Sequence, residues 1–189
     1  YHPYPKARRT VLWDMDDTLF SSRPHLLPVF EETTYRLTGI RPTTEQLNTY
    51  HGRTLAQFVE VLNAKLGVQM NAEEFRQLTD LVEPEIHAHA GAVPYSRLPT
   101  LIDELRHHGV AHAIGTSSES PRARRILDHL GLRRKMHALV GVEEVARPKP
   151  APDVFLEGAR RLGVPPERCI VFEDSLGGLR AAEEAGMVP

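Results

Sequence analysis

Short apolar runs alternate with segments of helical periodicity over most of this chain. Runs of the length of a buried strand lie at 10–14, 110–115, 137–142 and 169–173. Apolar residues at i, i+3, i+4 and i+7 from Leu98 to Leu105 predict a helix that ends at Gly109. Three more helices are predicted over 120–131, 153–162 and 176–185, the first of them with Ser120 as its N-cap. Continuous apolar strands that alternate with helices indicate an α/β fold, in which helices cover both faces of a parallel sheet.

A different pattern occupies residues 23–92, which contain no convincing strand. An apolar stripe from Leu55 to Leu66 predicts an amphipathic helix that ends at Gly67. Further helices are predicted at about 25–37 and after Asn71, the expected N-cap. We therefore expect an all-helical insertion, residues 23–92, after the first strand of a discontinuous core formed by residues 1–22 and 93–189.

Composition excludes several classes of protein. The 189 residues are 41% hydrophobic and carry a formal net charge of −2, which argues against disorder and against a nucleic-acid partner. No apolar run approaches the roughly 20 residues that cross a bilayer, so we expect no membrane association. The single cysteine, Cys169, cannot form an internal disulfide. We expect a soluble cytoplasmic protein, with a monomer favoured, whose partner is a small molecule.

An acidic cluster stands at the end of the first predicted strand. Asp14, Asp16 and Asp17 are followed there by Thr18. Open α/β sheets bind their ligands at the carboxyl edge of the strands, and a group of oxygen ligands suits Mg²⁺. An acidic turn or a helix cap would produce the same local sequence, so this cluster alone is only suggestive.

Three later segments place further chemistry near the ends of core strands. They are the hydroxyl-rich sequence Thr116-Ser117-Ser118, Lys149 among three prolines, and the acidic pair Glu173-Asp174. Each has an ordinary explanation, which is helix capping for the first and third and a solvated surface charge for the lysine. Capping alone does not readily explain why the acidic cluster, the hydroxyl-rich segment, the lysine and the acidic pair all lie near the ends of core strands. The combination therefore favours a functional site.

In these motifs the sequence resembles the haloacid dehalogenase-like hydrolase superfamily, in its phosphatase and phosphomutase branch with a helical cap. The resemblance is carried by DMDDTL, GTSS, RPKPAPDVF and VFEDSLGGLRAAEEAGM, in that order, and covers nearly the whole chain. It implies a Rossmann-like parallel sheet with an inserted helical cap. It also implies a Mg²⁺-dependent phosphatase that hydrolyses a small phosphomonoester, a sugar or polyol phosphate, through an aspartyl-phosphate.

The resemblance also implies roles for individual residues. Asp14 would be the nucleophile, Asp16 the general acid and base, and Lys149 the cation that neutralises charge on nucleophile and phosphate. Phosphoryl oxygens would be held by Thr18, Thr116, the Ser117 amide and Lys149. The Mg²⁺ ligands would be Asp14, the Asp16 carbonyl oxygen, Glu173 and Asp174.

The chain departs from the superfamily pattern at a few positions. Asp17 and Pro148 stand where the superfamily usually has glycine. In the superfamily another core strand normally follows the Ala-Gly-Met segment. We therefore expect the stop at Pro189 to be a truncation, or an unplaced tail, that leaves an unpaired sheet edge.

Substrate choice is expected to depend on the predicted cap, where His51, Gly52 and Arg53 are the candidate selecting residues. The alternative is that Gly52 ends a turn and Thr54 caps the following helix. Three other functions remain open: a hexose-phosphate phosphomutase, a receiver-type signalling domain and a catalytically silent binding protein. Receivers lack a helical insertion, and every chemical position here is filled by a competent residue, so a phosphatase is favoured.

Overall fold

The computed structural model describes residues 10–50, 53–86 and 92–189. The chain separates into two compact units, Tyr1–Ser21 with Ala92–Pro189 and Ser22–Gly91. The first unit is α/β, and the second contains helices but no strand in its described residues. No helix of the described residues is both long and apolar enough to cross a membrane.

Four parallel strands form the sheet of the first unit. They are β1 (Thr10–Trp13), β2 (His112–Gly115), β3 (Ala138–Val140) and β4 (Cys169–Phe172). Their order is β3-β2-β1-β4, with Leu12 of β1 opposite Ala113 on one side and Val171 on the other. β1 is therefore a central strand, and the residue that follows it lies in the middle of the carboxyl edge.

Helices cover both faces of this sheet, which confirms the predicted fold class. They are α5 (Leu98–His107), α6 (Ser120–His129), α7 (Asp153–Leu162) and α8 (Leu176–Glu184). Ile102 and Leu127 pack with Trp13 in one hydrophobic cluster, whereas Phe155 and Ala181 lie with Leu12 in another. Consecutive residues of β1 thus enter different clusters, as the two-residue period of a strand requires.

The prediction that Ser120 caps α6 is wrong. Glu119 is the N-cap residue, and Ser120 is the first helical residue. The Ser120 amide donates to the Glu143 carboxylate at 2.9 Å, and the Ser120 hydroxyl donates to Glu144. The Ser120 amide is one of the donors that a helix start leaves without an intrahelical partner, and Glu143 satisfies it, while the Ser120 hydroxyl makes a tertiary contact with Glu144 instead of capping the helix.

The second unit contains four α-helices in its described residues, namely α1 (Arg23–Thr38), α2 (Thr44–Leu47), α3 (Leu55–Leu66) and α4 (Ala72–Ile86). A cluster that includes Phe30, Phe58 and Phe75 forms its core. Thr54 caps α3 by accepting from the Gln57 amide at 3.3 Å, and Asn71 accepts from the Glu73 amide at 2.8 Å. Both caps agree with the sequence, whereas α2 is too short to leave a periodic pattern.

The last residues of the chain run beside β4. Val188 forms a parallel bridge with Ile170, in which the Val171 amide donates to the Val188 carbonyl at 2.8 Å and the Val188 amide donates to the Cys169 carbonyl at 3.1 Å. The backbone edge of β4 therefore has a partner along part of its length.

Candidate active site

The candidate site begins where the strands end. Asp14 directly follows β1, Thr116 directly follows β2 and Glu173 directly follows β4. Because the three strands are parallel, their last residues lie at the same edge of the sheet. Lys149 reaches this edge from the segment that precedes α7.

Lys149 lies between two carboxylates. Its Nζ donates to Asp14 Oδ1 and to Glu173 Oε2, both at 2.7 Å. The side chains of Lys149, Asp14 and Glu173 are 6%, 10% and 2% exposed, so the whole group is withdrawn from water. The Lys149 ammonium also stands 4.6 Å from the centre of the Phe155 ring. Three charged groups therefore lie together away from water. The ammonium of Lys149 stabilises both carboxylates, and they stabilise it.

Burial and charge act in opposite directions on these groups. Burial alone would lower the pKa of Lys149, but the charges of Asp14 and Glu173 outweigh it and hold that pKa above its ordinary value. Burial raises the pKa of the Asp14 carboxyl, and the ammonium of Lys149 opposes this rise. Lys149 is thus a permanent cation that favours the ionised form of its neighbour.

Glu173 is held on both of its oxygens. Oε2 accepts from Lys149, and Oε1 accepts from the Ser175 amide at 3.0 Å and the Ser175 hydroxyl at 2.9 Å. The carboxylate lies against Gly178 of α8, where a Cβ atom would be only 1.8 Å from Oε2. Gly178 therefore makes the space that Glu173 occupies.

Three carboxylates could hold a metal ion. One oxygen each from Asp14, Glu173 and Asp174 lies within 4.8 Å of the others. Asp174 Oδ1 also accepts from the Thr18 hydroxyl at 3.2 Å, and burial raises the pKa of Asp174. A set made only of oxygens, at the edge of a sheet, fits a hard cation such as Mg²⁺. The Asp16 carbonyl oxygen stays a predicted ligand, and the Asp16 side chain has contacts of its own.

The Asp16 side chain contacts a residue that the sequence did not indicate. Arg122 of α6 donates from Nη1 to Asp16 Oδ2 at 2.9 Å and from Nη2 to Oδ1 at 3.1 Å, and Ser118 donates to Oδ2 at 3.0 Å. The only available indication was an arginine in the first turn of a helix that begins at the carboxyl edge. That indication is weak, because such a position is commonly a solvated surface charge.

Asp17 occupies a turn with left-handed backbone geometry. Its φ is 59°, and it is the one residue other than glycine in the described ranges with a positive φ. This conformation is open to glycine and is tolerated by Asp and Asn, which explains why an aspartate can replace the glycine usual at this position. The Tyr95 hydroxyl donates to the Asp17 carbonyl at 3.4 Å.

The other predicted phosphate-binding residues follow β2. Thr116 is buried, its amide donates to the Val140 carbonyl at 3.1 Å, and its Oγ1 accepts from the Ser118 amide at 3.0 Å. Ser117 is exposed between them. The segment after β2 is therefore a tight turn whose middle residue faces solvent at the carboxyl edge.

The structure describes only one of the three predicted substrate-selecting residues. His51 and Gly52 lie outside the described residues. Arg53 is exposed, and its Nη1 donates to the Thr49 carbonyl at 2.6 Å. Substrate selection by these three residues stays a prediction.

A buried lysine between two carboxylates adds little to stability that well-packed apolar side chains could not supply. At the carboxyl edge of a parallel sheet, beside a set of oxygen ligands, the same group suits the charge of a phosphate ester. Fold and site together thus define an α/β enzyme of phosphate-ester chemistry. The chain belongs to the haloacid dehalogenase-like hydrolases, whose family model matches residues 11–188. This confirms the family expected from the motifs.

Relatives of known activity cover most of the chain. The fructose-1-phosphate phosphatase YqaB of Escherichia coli K12 is 34% identical over 188 residues, which are 94% of this chain and 92% of the relative. Hexitol phosphatase A of the same organism is 31% identical over 175 residues, 93% of this chain and 78% of the relative. The chain is an enzyme, a phosphoric monoester hydrolase of this family.

Solved structures agree with the fold. CbbY from Rhodobacter sphaeroides, in complex with phosphate, has a TM-score of 0.78 and 25% identity and covers 95% of this chain and 84% of its own. A predicted phosphoglycolate phosphatase from Haemophilus somnus has a TM-score of 0.82 at 19% identity and covers 95% of this chain and 83% of its own. The latter similarity shows the fold alone.

Proposed function

We propose that this chain is a Mg²⁺-dependent phosphatase that hydrolyses a small sugar or polyol phosphate through a phosphoryl group carried on Asp14. The observation that carries the proposal is the position of Asp14. It is a buried carboxylate at the end of a central strand, and the Lys149 ammonium lies 2.7 Å from its Oδ1. The names of the Escherichia coli relatives, fructose-1-phosphate phosphatase and hexitol phosphatase, support the sugar and polyol class.

In the first step an Asp14 oxygen attacks phosphorus and forms an acyl phosphate. The bond from phosphorus to the ester oxygen breaks, its electron pair stays on that oxygen, and Asp16 donates a proton to the departing alcohol. Lys149 offsets negative charge on the nucleophile and on the phosphoryl oxygens. Thr18, Thr116 and the Ser117 amide supply hydrogen bonds to those oxygens.

In the second step water attacks the phosphorus of the acyl phosphate. Asp16, now ionised, accepts the proton of that water, and the phosphorus–oxygen bond to Asp14 breaks. Inorganic phosphate is released, and the Asp14 carboxylate and the protonated Asp16 are restored. One carboxyl group thus acts as acid in the first step and as base in the second.

The ligands proposed for Mg²⁺ are Asp14, Asp174, Glu173 and the Asp16 carbonyl oxygen. The oxygen-only chemistry of the three side chains, which lie within 4.8 Å of one another, supports this choice. When bound, the ion would supply positive charge to the phosphoryl oxygens. It would also favour the ionised form of Asp14, whose pKa burial raises.

A phosphate-release screen tests the proposal. The panel contains fructose 1-phosphate, hexitol phosphates, phosphoglycolate and 4-nitrophenyl phosphate, each assayed with Mg²⁺ and with EDTA. We expect turnover of a sugar or polyol phosphate that EDTA abolishes and Mg²⁺ restores. Turnover that survives EDTA would contradict the metal requirement.

Two variants complete this test. Asp14→Asn removes the nucleophile and should abolish turnover, whereas Asp16→Asn keeps the nucleophile and should slow both steps. Transfer of the phosphoryl group to a second sugar phosphate, with formation of a bisphosphate, would instead assign the chain as a phosphomutase.

A further inference from the structure

Asp16 is fixed by two side chains from the segment after β2. Arg122 contacts both oxygens of the carboxylate, at 2.9 and 3.1 Å, and the Ser118 hydroxyl contacts Oδ2 at 3.0 Å. Arg122 Nη1 also donates to Ser118 Oγ at 2.6 Å, so the three side chains form a closed ring. We propose that Arg122 is a positioning residue for proton transfer, which holds the Asp16 carboxyl group in the orientation that the reaction uses.

The number of acceptor sites on Asp16 supports this role. An ionised carboxylate has about four lone-pair sites, two on each oxygen. The contacts from Arg122 and Ser118 take both sites on Oδ2 and one on Oδ1. The remaining site is on Oδ1, which is therefore the atom that carries the transferred proton.

The choice of arginine matters because of its shape. A guanidinium group is a rigid planar fork that matches a carboxylate, so two parallel hydrogen bonds fix both the distance and the plane of the Asp16 group. A lysine would bring the same charge to one oxygen and would leave the carboxylate free to turn.

The backbone beneath Arg122 is itself anchored. Arg122 lies in the first turn of α6, where the Ser120 amide donates to Glu143 and the Ser120 hydroxyl donates to Glu144. A Cβ atom at Gly141 would lie 2.5 Å from the Ser120 nitrogen, which shows how closely the loop after β3 approaches the helix. The Arg122 side chain is only 13% exposed. A largely buried side chain on an anchored turn is suited to holding another group in place.

This inference rests on the proposed function, because it concerns the residue that transfers the proton. Two other roles for Arg122 must be distinguished from it: direct binding of the phosphoryl group, and a purely structural ion pair. The leaving group separates the three, because a sugar alkoxide must be protonated as it departs, whereas nitrophenolate is a stable anion that leaves without a proton.

The experiment measures kcat and KM of wild type, Arg122→Met and Arg122→Lys with fructose 1-phosphate and with 4-nitrophenyl phosphate. In Arg122→Met we expect kcat/KM for the sugar ester to fall by about 10²-fold, against less than about fivefold for the nitrophenyl ester, with the loss in kcat. Arg122→Lys should recover part of the loss. Arg124→Met, at an exposed arginine of the same helix, is the matched control and should leave both substrates unchanged.

A second arm places the same substitution in Asp16→Asn. If Arg122 acts through Asp16, Arg122→Met should cause no further loss in that background. Equal losses in kcat/KM for both esters, a rise in KM alone for the sugar ester, or additive losses would overturn the inference while the phosphatase activity of the wild type stands. A wild type that hydrolyses neither ester nor any other member of the screening panel would instead refute the proposed function, and the inference with it.

Discussion

At the scale of single residues, Lys149 controls the charge of the site. It is the cation that lies against both Asp14 and Glu173 at 2.7 Å, and all three side chains are at most 10% exposed. Removing one partner of a buried ion pair costs far more than the pair contributes, since the remaining charges stay desolvated. Both the stability of the fold and the catalytic activity should therefore depend on the Lys149 side chain.

Lys149→Met tests that dependence. In the absence of Mg²⁺ we expect its free energy of unfolding in urea to fall by about 3–5 kcal/mol, because two carboxylates remain buried without their cation. Lys135→Met is the matched control, because Lys135 forms an exposed ion pair with Asp103, whose loss should cost less than about 1 kcal/mol. Similar losses of unfolding free energy in the two variants would show that Asp14 and Glu173 do not need Lys149 as a buried counter-charge.

Asp17 offers a second test at this scale, one of backbone conformation. Because its φ is 59°, Asp17→Val should destabilise the protein by about 1–2 kcal/mol, whereas Asp17→Asn and Asp17→Gly should change stability by less than about 1 kcal/mol. Thermal unfolding of the three variants measures the difference. A valine variant as stable as the asparagine variant would argue against a left-handed turn at this position.

At the scale of elements, the sequence predicts what is decided locally. α7 spans 153–162 as expected, and α3 ends at Gly67 as expected, because each depends on its own apolar period and end residue. The N-cap of α6 is mispredicted because Ser120 instead contacts Glu143 and Glu144, which are more than 20 residues away in sequence. A local rule cannot include a partner that only the fold brings near.

α8 contains adjacent glycines that give a matched pair of variants. A Cβ atom at Gly178 would overlap the Glu173 carboxylate, whereas one at Gly177 would meet nothing within 4 Å. We expect Gly178→Ala to lose about 1–3 kcal/mol of stability and most of its phosphatase activity, because Glu173 must leave its contact with Lys149. Gly177→Ala should be equally active and more stable by about 0.5–1 kcal/mol, as for a helical glycine whose added Cβ meets no neighbour.

Urea unfolding and phosphate release are measured for both alanine variants. Equal behaviour of the pair would mean that α8 accommodates a side chain against Glu173. The space beneath that carboxylate would then not be a requirement of the site.

At the scale of the whole molecule, a buried histidine couples folding to pH. His112 of β2 is fully buried, and its Nδ1 accepts from the Trp13 indole at 3.0 Å, so the neutral ring carries its proton on Nε2. Within the described residues no acceptor meets that atom. Burial, together with the charges of His137 and Arg106, lowers the pKa of His112 to about 4.

The sign of the pH effect follows from this depressed pKa. Between about pH 6.5 and 4 the unfolded chain binds a proton at this residue and the folded chain does not, so stability is complete above pH 6.5 and is lost as the pH falls. Relative to His112→Gln, which keeps an acceptor for Trp13, wild type should lose roughly 2 kcal/mol more between pH 7 and pH 4.5.

Urea titrations of both proteins at each pH measure this difference, and the comparison cancels groups common to both, Asp14 among them. Parallel pH profiles of wild type and His112→Gln would contradict the assignment of a neutral buried ring.

The sequence predicts much of the site's content but less of its geometry. Asp14, Lys149, Glu173 and Asp174 follow from motifs and strand ends, and the structure brings them together. The contact of Arg122 with Asp16 joins residues 106 positions apart, and no periodicity or capping rule links them. Strand order likewise depends on long-range pairing, so the central position of β1 emerges only from the fold.

The central claim is that Asp14 carries the phosphoryl group, and chemical quench of the wild type during turnover tests it most directly. Mass spectrometry of the peptides should find a phosphoryl group on Asp14. With 4-nitrophenyl phosphate, whose leaving group needs no proton, its amount should rise in Asp16→Asn because only water attack is slowed, and it should be absent from Asp14→Asn. A phosphoryl group on another residue, or an Asp14→Asn variant that releases phosphate at the wild-type rate, would contradict the account.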